Sequence, residues 1–254
     1  MNYARYLLIL LFFLVAACSS DPVRERKQGN PKEAAKMNVQ MASGYIQRGQ
    51  LEVAKDKLTK AIEQDPTYIP GLTTMAVLME MVNELDKAED YYQDALDVDG
   101  RNPDLHNNYG QFLCKRNKFE TALKHFDIAV NDPFYLTPEI TYANIGFCLM
   151  QGDKPDFKKA EVNLRKAIKI NPKMASALLS MGELGIKTKQ YLMARAYMQR
   201  YHEVDRKTAN SLWLQIQAEK ALGDKKYYLA LSRELLDHFP DSPEADLLTG
   251  REKI

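Results

Sequence analysis

The chain has 254 residues, 45% of them apolar, and 35 Lys and Arg stand against 34 Asp and Glu for a formal net charge of +1. So even a balance provides no electrostatic case for binding nucleic acid. The length is large for one compact core, so internal repeats are sought before anything else.

Residues Tyr6 to Ala17 (YLLILLFFLVAA) follow a single charge, Arg5. They have the length of a secretory apolar region and fall short of the roughly 20 residues a spanning helix needs. Cys18 then stands where a bacterial lipobox places its cysteine, after Ala16 and Ala17. The expected course is removal of residues 1–17 as a lipoprotein signal peptide and an N-acyl diacylglyceryl lipid on Cys18. A plain secretory signal with a chance cysteine is the competing reading. Ser19 and Ser20 follow, where an Asp beside the lipidated cysteine usually retains such proteins in the inner membrane. By that resemblance the expected location is the outer membrane, periplasmic face, with the chain held to the membrane by its lipid. Residues 18–34 carry Pro, Gly, Asn and charge without an apolar period and are expected to form a flexible tether.

Beyond the tether the chain repeats itself. Ala54, Ala88 and Ala122 are 34 residues apart, and Ala61, Ala95 and Ala129 keep the same spacing seven residues on. A period of 34 is that of the tetratricopeptide helix-turn-helix unit, in which small residues sit where the two helices cross closely. The expected fold is all-α: a right-handed superhelical solenoid of six such repeats, at about 35–68, 69–102, 103–136, 139–174, 175–208 and 209–242. Pro66, Gly100, Pro133, Pro172 and Pro240 punctuate it. Register slips between the third and fifth repeats, where Asn131 to Pro138 and Gly152 to Phe157 hold extra residues rich in turn formers. Ser242 before Pro243 opens a closing helix within 243–254.

In a tetratricopeptide superhelix the first helix of each unit lines the inner curve. Counting from the repeat starts, the inner positions are Val39, Ser43, Ile46, Thr73, Val77, Asn107, Gln111, Phe147, Met150, Leu179, Ile186, Trp213 and Gln217. Apolar residues interleaved with amides suit a peptide segment. The alternative for each is packing against the next repeat, and for the lone Trp213 a place in the core.

No constellation for catalysis emerges. His106, His125, His202 and His238 lack metal-ligand spacing, and His106 falls where a packing aromatic is usual. No phosphate loop, dinucleotide fingerprint or nucleophile elbow occurs. Acidic pairs such as Glu89-Asp90 read as solvated helix surface. No enzyme activity, cofactor or small-molecule substrate is expected. With Cys18 lipidated, Cys114 and Cys148 remain, on first helices of adjacent repeats at nearly the same height. They are a disulfide candidate, with two buried thiols as the alternative.

Several segments exceed what the repeat dictates: Asn107 to Cys114 (NNYGQFLC), Pro133 to Glu139 (PFYLTPE), Asn144 to Cys148 (NIGFC), Gly152-Asp153, Ala194 to Tyr197 (ARAY), Ser211 to Leu214 (SLWL), Leu222 to Asp224 (LGD) and Phe239 to Pro243 (FPDSP). In these the chain resembles the type IV pilus pilotin lipoproteins of the PilF/PilW family over nearly its whole mature length. One departure is Gln111, where family members often carry an aromatic. The resemblance implies a non-enzymatic protein that binds the type IV pilus secretin and promotes its outer-membrane localisation and oligomerisation, hence pilus biogenesis and twitching motility. Val39, Ile46, Thr73 and Val77 of the first two repeats are the expected grip, with Asn107 and Gln111 further along. A repeat scaffold for general outer-membrane protein assembly or cell-wall complexes is the alternative.

Overall fold

The computed structural model describes residues 30–250, so Cys18 and its signal segment lie outside the described residues. Among the described residues all regular structure is helical, in thirteen helices. The chain divides into two compact units, one ending at Thr74 and the other beginning at Met75.

The first unit holds α1 (Pro31–Gln47) and α2 (Leu51–Gln64) and the opening turns of α3 (Ile69–Met81). Helix α1 starts inside the segment expected to be tether. Asn30 accepts the Lys32 backbone N–H at 3.1 Å and Pro31 occupies the first helical turn, where its missing N–H costs nothing, so residues 31–34 are helix. The two helices cross on Ala35, Ala42, Ala54 and Ala61, all fully buried, with Leu58 between them.

The second unit continues with α4 (Leu85–Val98), α5 (Pro103–Lys115), α6 (Phe119–Asn131), α7 (Pro138–Leu149), α8 (Phe157–Ile170), α9 (Ala175–Lys187), α10 (Tyr191–Val204), α11 (Ala209–Leu222), α12 (Lys225–His238) and α13 (Pro243–Thr249). Its helix pairs mesh through glycine. A Cβ on Gly110 would lie 2.7 Å from the Phe126 ring, and one on Gly146 would lie 2.5 Å from Leu164 Cγ. Met198 plays the same part over Gly182. In each pair a large side chain four residues past the repeat alanine fills the notch left by the glycine, which sets the close crossing of the two helices. The closing helix α13 begins at Ser242, whose hydroxyl accepts the Ala245 N–H at 3.1 Å, and ends at Gly250 in the left-handed region.

The extra residues lie in two connections, 132–137 and 150–156. In the second, Gly152 has φ +76°, and a Cβ there would come within 2.6 Å of the Phe119 ring, so the turn and the close approach both require glycine.

Candidate partner-binding cleft

On the second unit, first helices of successive repeats line a cleft of about 370 Å³. Helix α5 contributes Gln111, Cys114 and Lys115; α7 contributes Ala143, Asn144 and Phe147; α9 contributes Ser176, Leu179, Ser180 and Glu183; α11 contributes Asn210. Residues three and four apart on a helix share a face, which is why Gln111 with Lys115, Asn144 with Phe147 and Leu179 with Glu183 open on the same side. Phe147 is 42% exposed beside half-buried Leu179. Gln111 and Asn210 are exposed, and their amides have no hydrogen bond among the described residues. Charges mark the ends of the lining: Lys115 Nζ lies 3.0 Å from Glu80 Oε2, and Glu183 Oε1 lies 3.4 Å from Lys187 Nζ.

Two of the lining helices are covalently joined. Cys114, which lines the cleft, forms a disulfide with Cys148, their Cα atoms 5.8 Å apart, so α5 and α7 are joined beside the lining. Between the same two helices Asn107 Oδ1 accepts from Thr141 Oγ1 at 2.8 Å and from Asn144 Nδ2 at 2.9 Å. Asn107 is only 6% exposed, so the expectation that it meets a partner is corrected: it fixes Asn144, which does line the cleft. A buried amide is tolerable only when its polar atoms are paired, and those pairs hold the two first helices in register.

Other expected inner positions also turn inward. Val39 (8% exposed) sits 3.7 Å from where a Gly71 Cβ would stand, and Thr73 is buried with no partner for its hydroxyl among the described residues. Helix α3 is so uniformly apolar that burial runs round most of its circumference, which places Leu72, Thr73, Met75, Ala76, Leu78 and Met79 all inside. Of the residues expected to form the grip, Ile46 is half-buried and Val77 is exposed. Met150 is buried in the core shared by α8, α9 and α10, and Trp213 packs against the closing cluster of Leu212, Ile216, Leu231 and Leu235.

Two arrangements were invisible to spacing arguments. The Nδ1 atoms of His106 and His125 are 2.8 Å apart, although 19 residues separate them in sequence. Burial, then the neighbouring His106, pushes the His125 pKa down to about 4. Arg195, within the ARAY segment, meets the buried carboxylate of Glu219 through Nε at 2.9 Å and through a second guanidinium nitrogen, with Asp224 Oδ2 at 3.6 Å. Glu89, expected to be plain solvated surface, accepts Lys118 Nζ at 2.7 Å and the Tyr109 hydroxyl at 3.3 Å, so it ties the second repeat to the third.

Helix pairs of this kind, repeated on a 34-residue alanine spacing, define a tetratricopeptide repeat protein. The tetratricopeptide repeat family profile matches residues 91–124, from the middle of α4 to the middle of α6. More narrowly, the chain belongs to the PilF family of type IV pilus biogenesis proteins: it is 31% identical over 212 residues to the type IV pilus assembly protein PilF of Pseudomonas aeruginosa, covering 84% of this chain and 83% of that one. The crystal structure of PilW, described as a widely conserved type IV pilus biogenesis factor, superposes with a TM-score of 0.77 at 27% identity, over 85% of this chain and 98% of that one. The solved Pseudomonas aeruginosa PilF gives a TM-score of 0.74 at 29% identity, over 87% and 99% of the two chains.

Proposed function

We propose that this protein is a non-enzymatic, lipid-anchored pilotin of the outer membrane that binds the type IV pilus secretin and promotes its localisation and oligomerisation there. Family membership supplies the pilus context. The observation that carries the binding role is the cleft on α5, α7, α9 and α11, where the unpaired amides of Gln111 and Asn210 flank the apolar Phe147 and Leu179 and a disulfide links α5 to α7. Such a surface bonds the backbone of an extended segment and seats its side chains, and a rigid lining lowers the ordering cost of binding. In this reading the lipid on Cys18 decides where a bound client is delivered, because several acyl chains hold a protein at a membrane far more firmly than one.

The test is a binding titration of the purified chain against secretin, with Phe147→Asp and Leu179→Asp introduced together, alongside a Cys18→Ala strain. Loss of binding in the first and loss of secretin multimers from the outer membrane in the second are expected, with secretin monomers persisting. Unchanged multimers in Cys18→Ala cells would remove the delivery role. A parallel fall of many unrelated outer-membrane proteins in a deletion strain would favour a general assembly scaffold instead.

A further inference from the structure

The connection between α6 and α7 presents two apolar side chains to solvent while burying the one between them. Phe134 is 86% and Leu136 is 90% exposed, the two most exposed large apolar residues among the described residues, whereas Tyr135 is 9% exposed. An exposed leucine alone means little, since much of any protein surface is apolar. Here, however, the loop is fastened in place. The Tyr135 hydroxyl lies 3.0 Å from Thr141 Oγ1, which donates to buried Asn107, and Asp132 Oδ1 accepts the Phe134 N–H at 2.7 Å. Residues 132–135 form a turn closed by the Tyr135 N–H on the Asp132 carbonyl at 3.2 Å, which leaves Phe134 at the tip in solvent while Tyr135 turns inward as the rivet. Ile140, 40% exposed on the first turn of α7, continues the apolar surface.

We infer that this loop is a second docking element, a pre-set apolar anchor that inserts Phe134 and Leu136 into a pocket on a protein partner, the pocket being bordered by basic groups. Charge selects the occupant. Between Lys124 and Lys154 the sequence holds no lysine or arginine, and the loop itself is bracketed by two acids, Asp132 at its start and Glu139 on the first turn of α7. Neither is in an ion pair among the described residues. Apolar elements that enter a lipid surface are bordered by Lys and Arg, which meet anionic headgroups; an acidic border is repelled by them. The same border attracts the rim of a basic protein pocket and steers its approach. Since the hydrogen bonds hold the loop before any partner arrives, little conformational freedom remains to be lost on docking.

For the partner's identity this inference rests on the secretin reading above, and the experiment separates the two. The full chain is titrated against purified secretin as the parent, as Phe134→Ser with Leu136→Ser, as Glu139→Lys, and as Leu192→Ser, a control at an exposed apolar site elsewhere. Circular dichroism confirms that each variant keeps its helices. The expected result is an affinity about thirtyfold weaker for the double loop variant, a smaller and salt-dependent loss for Glu139→Lys, and parental binding for Leu192→Ser. Parental affinity in the double loop variant overturns the anchor while leaving the secretin reading intact. Failure of the parent itself to bind removes the secretin reading, and the anchor falls with it. Two further outcomes reassign the loop: vesicles of phosphatidylethanolamine and phosphatidylglycerol that retain the Cys18→Ala chain only when Phe134 and Leu136 are present, or self-association lost in the double variant.

Discussion

His106 and His125 share one proton between their Nδ1 atoms, 2.8 Å apart, and the second nitrogen of His106 decides which ring donates it. His106 Nε2 lies 3.1 Å from the Gly100 carbonyl oxygen, so it must carry a hydrogen; a neutral His106 then has a bare Nδ1 that accepts from the Nδ1–H of His125. Protonating His125 places a charge in a half-buried site against another imidazole, which is why its pKa falls from 6.5 to about 4.

That shift sets a pH dependence. The unfolded chain takes up this proton near pH 6.5, while the folded chain resists it down to about pH 4. The stabilisation is therefore fully present above pH 6.5 and is lost progressively as pH falls toward the folded value. His125→Asn keeps an N–H for His106 and removes the titration. Denaturant midpoints measured across that window should fall less steeply in the variant than in the parent; identical slopes would disprove the assignment.

The disulfide predicts a stability loss of a different kind. Cys114 and Cys148 close a loop with a sequence separation of 34, for which the chain-entropy estimate is about 3 to 4 kcal/mol. Cys114→Ala with Cys148→Ala should lower the melting temperature to about that extent, and a reducing agent should do the same to the parent and nothing to the variant. Since Cys114 also lines the cleft, client affinity should drop in the variant even at temperatures where it is fully folded. Retained affinity would mean that the disulfide does not position the lining.

How much of this was legible beforehand depended on whether the cause was local. The helix pairs were, because Ala54, Ala88 and Ala122 mark close crossings at a fixed spacing, and Gly110 and Gly146 sit opposite Phe126 and Leu164 for the same steric reason. The start of α1 was also written locally, as Asn30-Pro31, but the polar composition around it suggested a tether. Asn107 was misplaced because its partners Thr141 and Asn144 come 34 and 37 residues later, and counting positions on one helix cannot register a bond to the next repeat. Separations of 19 and 24 residues likewise hid the pairing of His106 with His125, on the two helices of one repeat, and of Arg195 with Glu219. Val39 and Thr73 failed otherwise: their positions matched an inner face, but neighbouring apolar residues widened the buried arc beyond it.

Arg195 and Glu219 predict an asymmetric mutational response. Glu219 is 1% exposed and its charge is neutralised by the Arg195 guanidinium, which bridges α10 to α11 and reaches Asp224 at the start of α12. Arg195→Ala leaves a buried carboxylate without its cation and should cost about 3 kcal/mol in chemical denaturation. Adding Glu219→Gln removes the stranded charge and should recover a large part of that loss. A double variant no more stable than Arg195→Ala would show that the arginine acts through packing alone.

The turns within repeats make the last prediction. Gly49, Asn83, Asn117, Lys189 and Gly223 all have φ between 59° and 77°, and in each case the next residue donates its N–H to the carbonyl five residues before it. This is one helix-ending motif used five times, and it needs a left-handed residue at one place. Glycine reaches that region freely and asparagine tolerates it, whereas a lysine there brings its Cβ against its own backbone. Lys189 is exposed, and its φ of 59° matches the asparagines of the other turns, so the motif imposes the conformation rather than any favourable contact of the side chain. Lys189→Asn and Lys189→Gly should therefore each stabilise the protein by up to about 1 kcal/mol. Thermal or denaturant unfolding of the two variants checks this, with Lys189→Ala as the comparison because it keeps the Cβ and the strain. If Lys189→Ala gains as much as Lys189→Asn, the long side chain rather than the backbone conformation is the source of the cost.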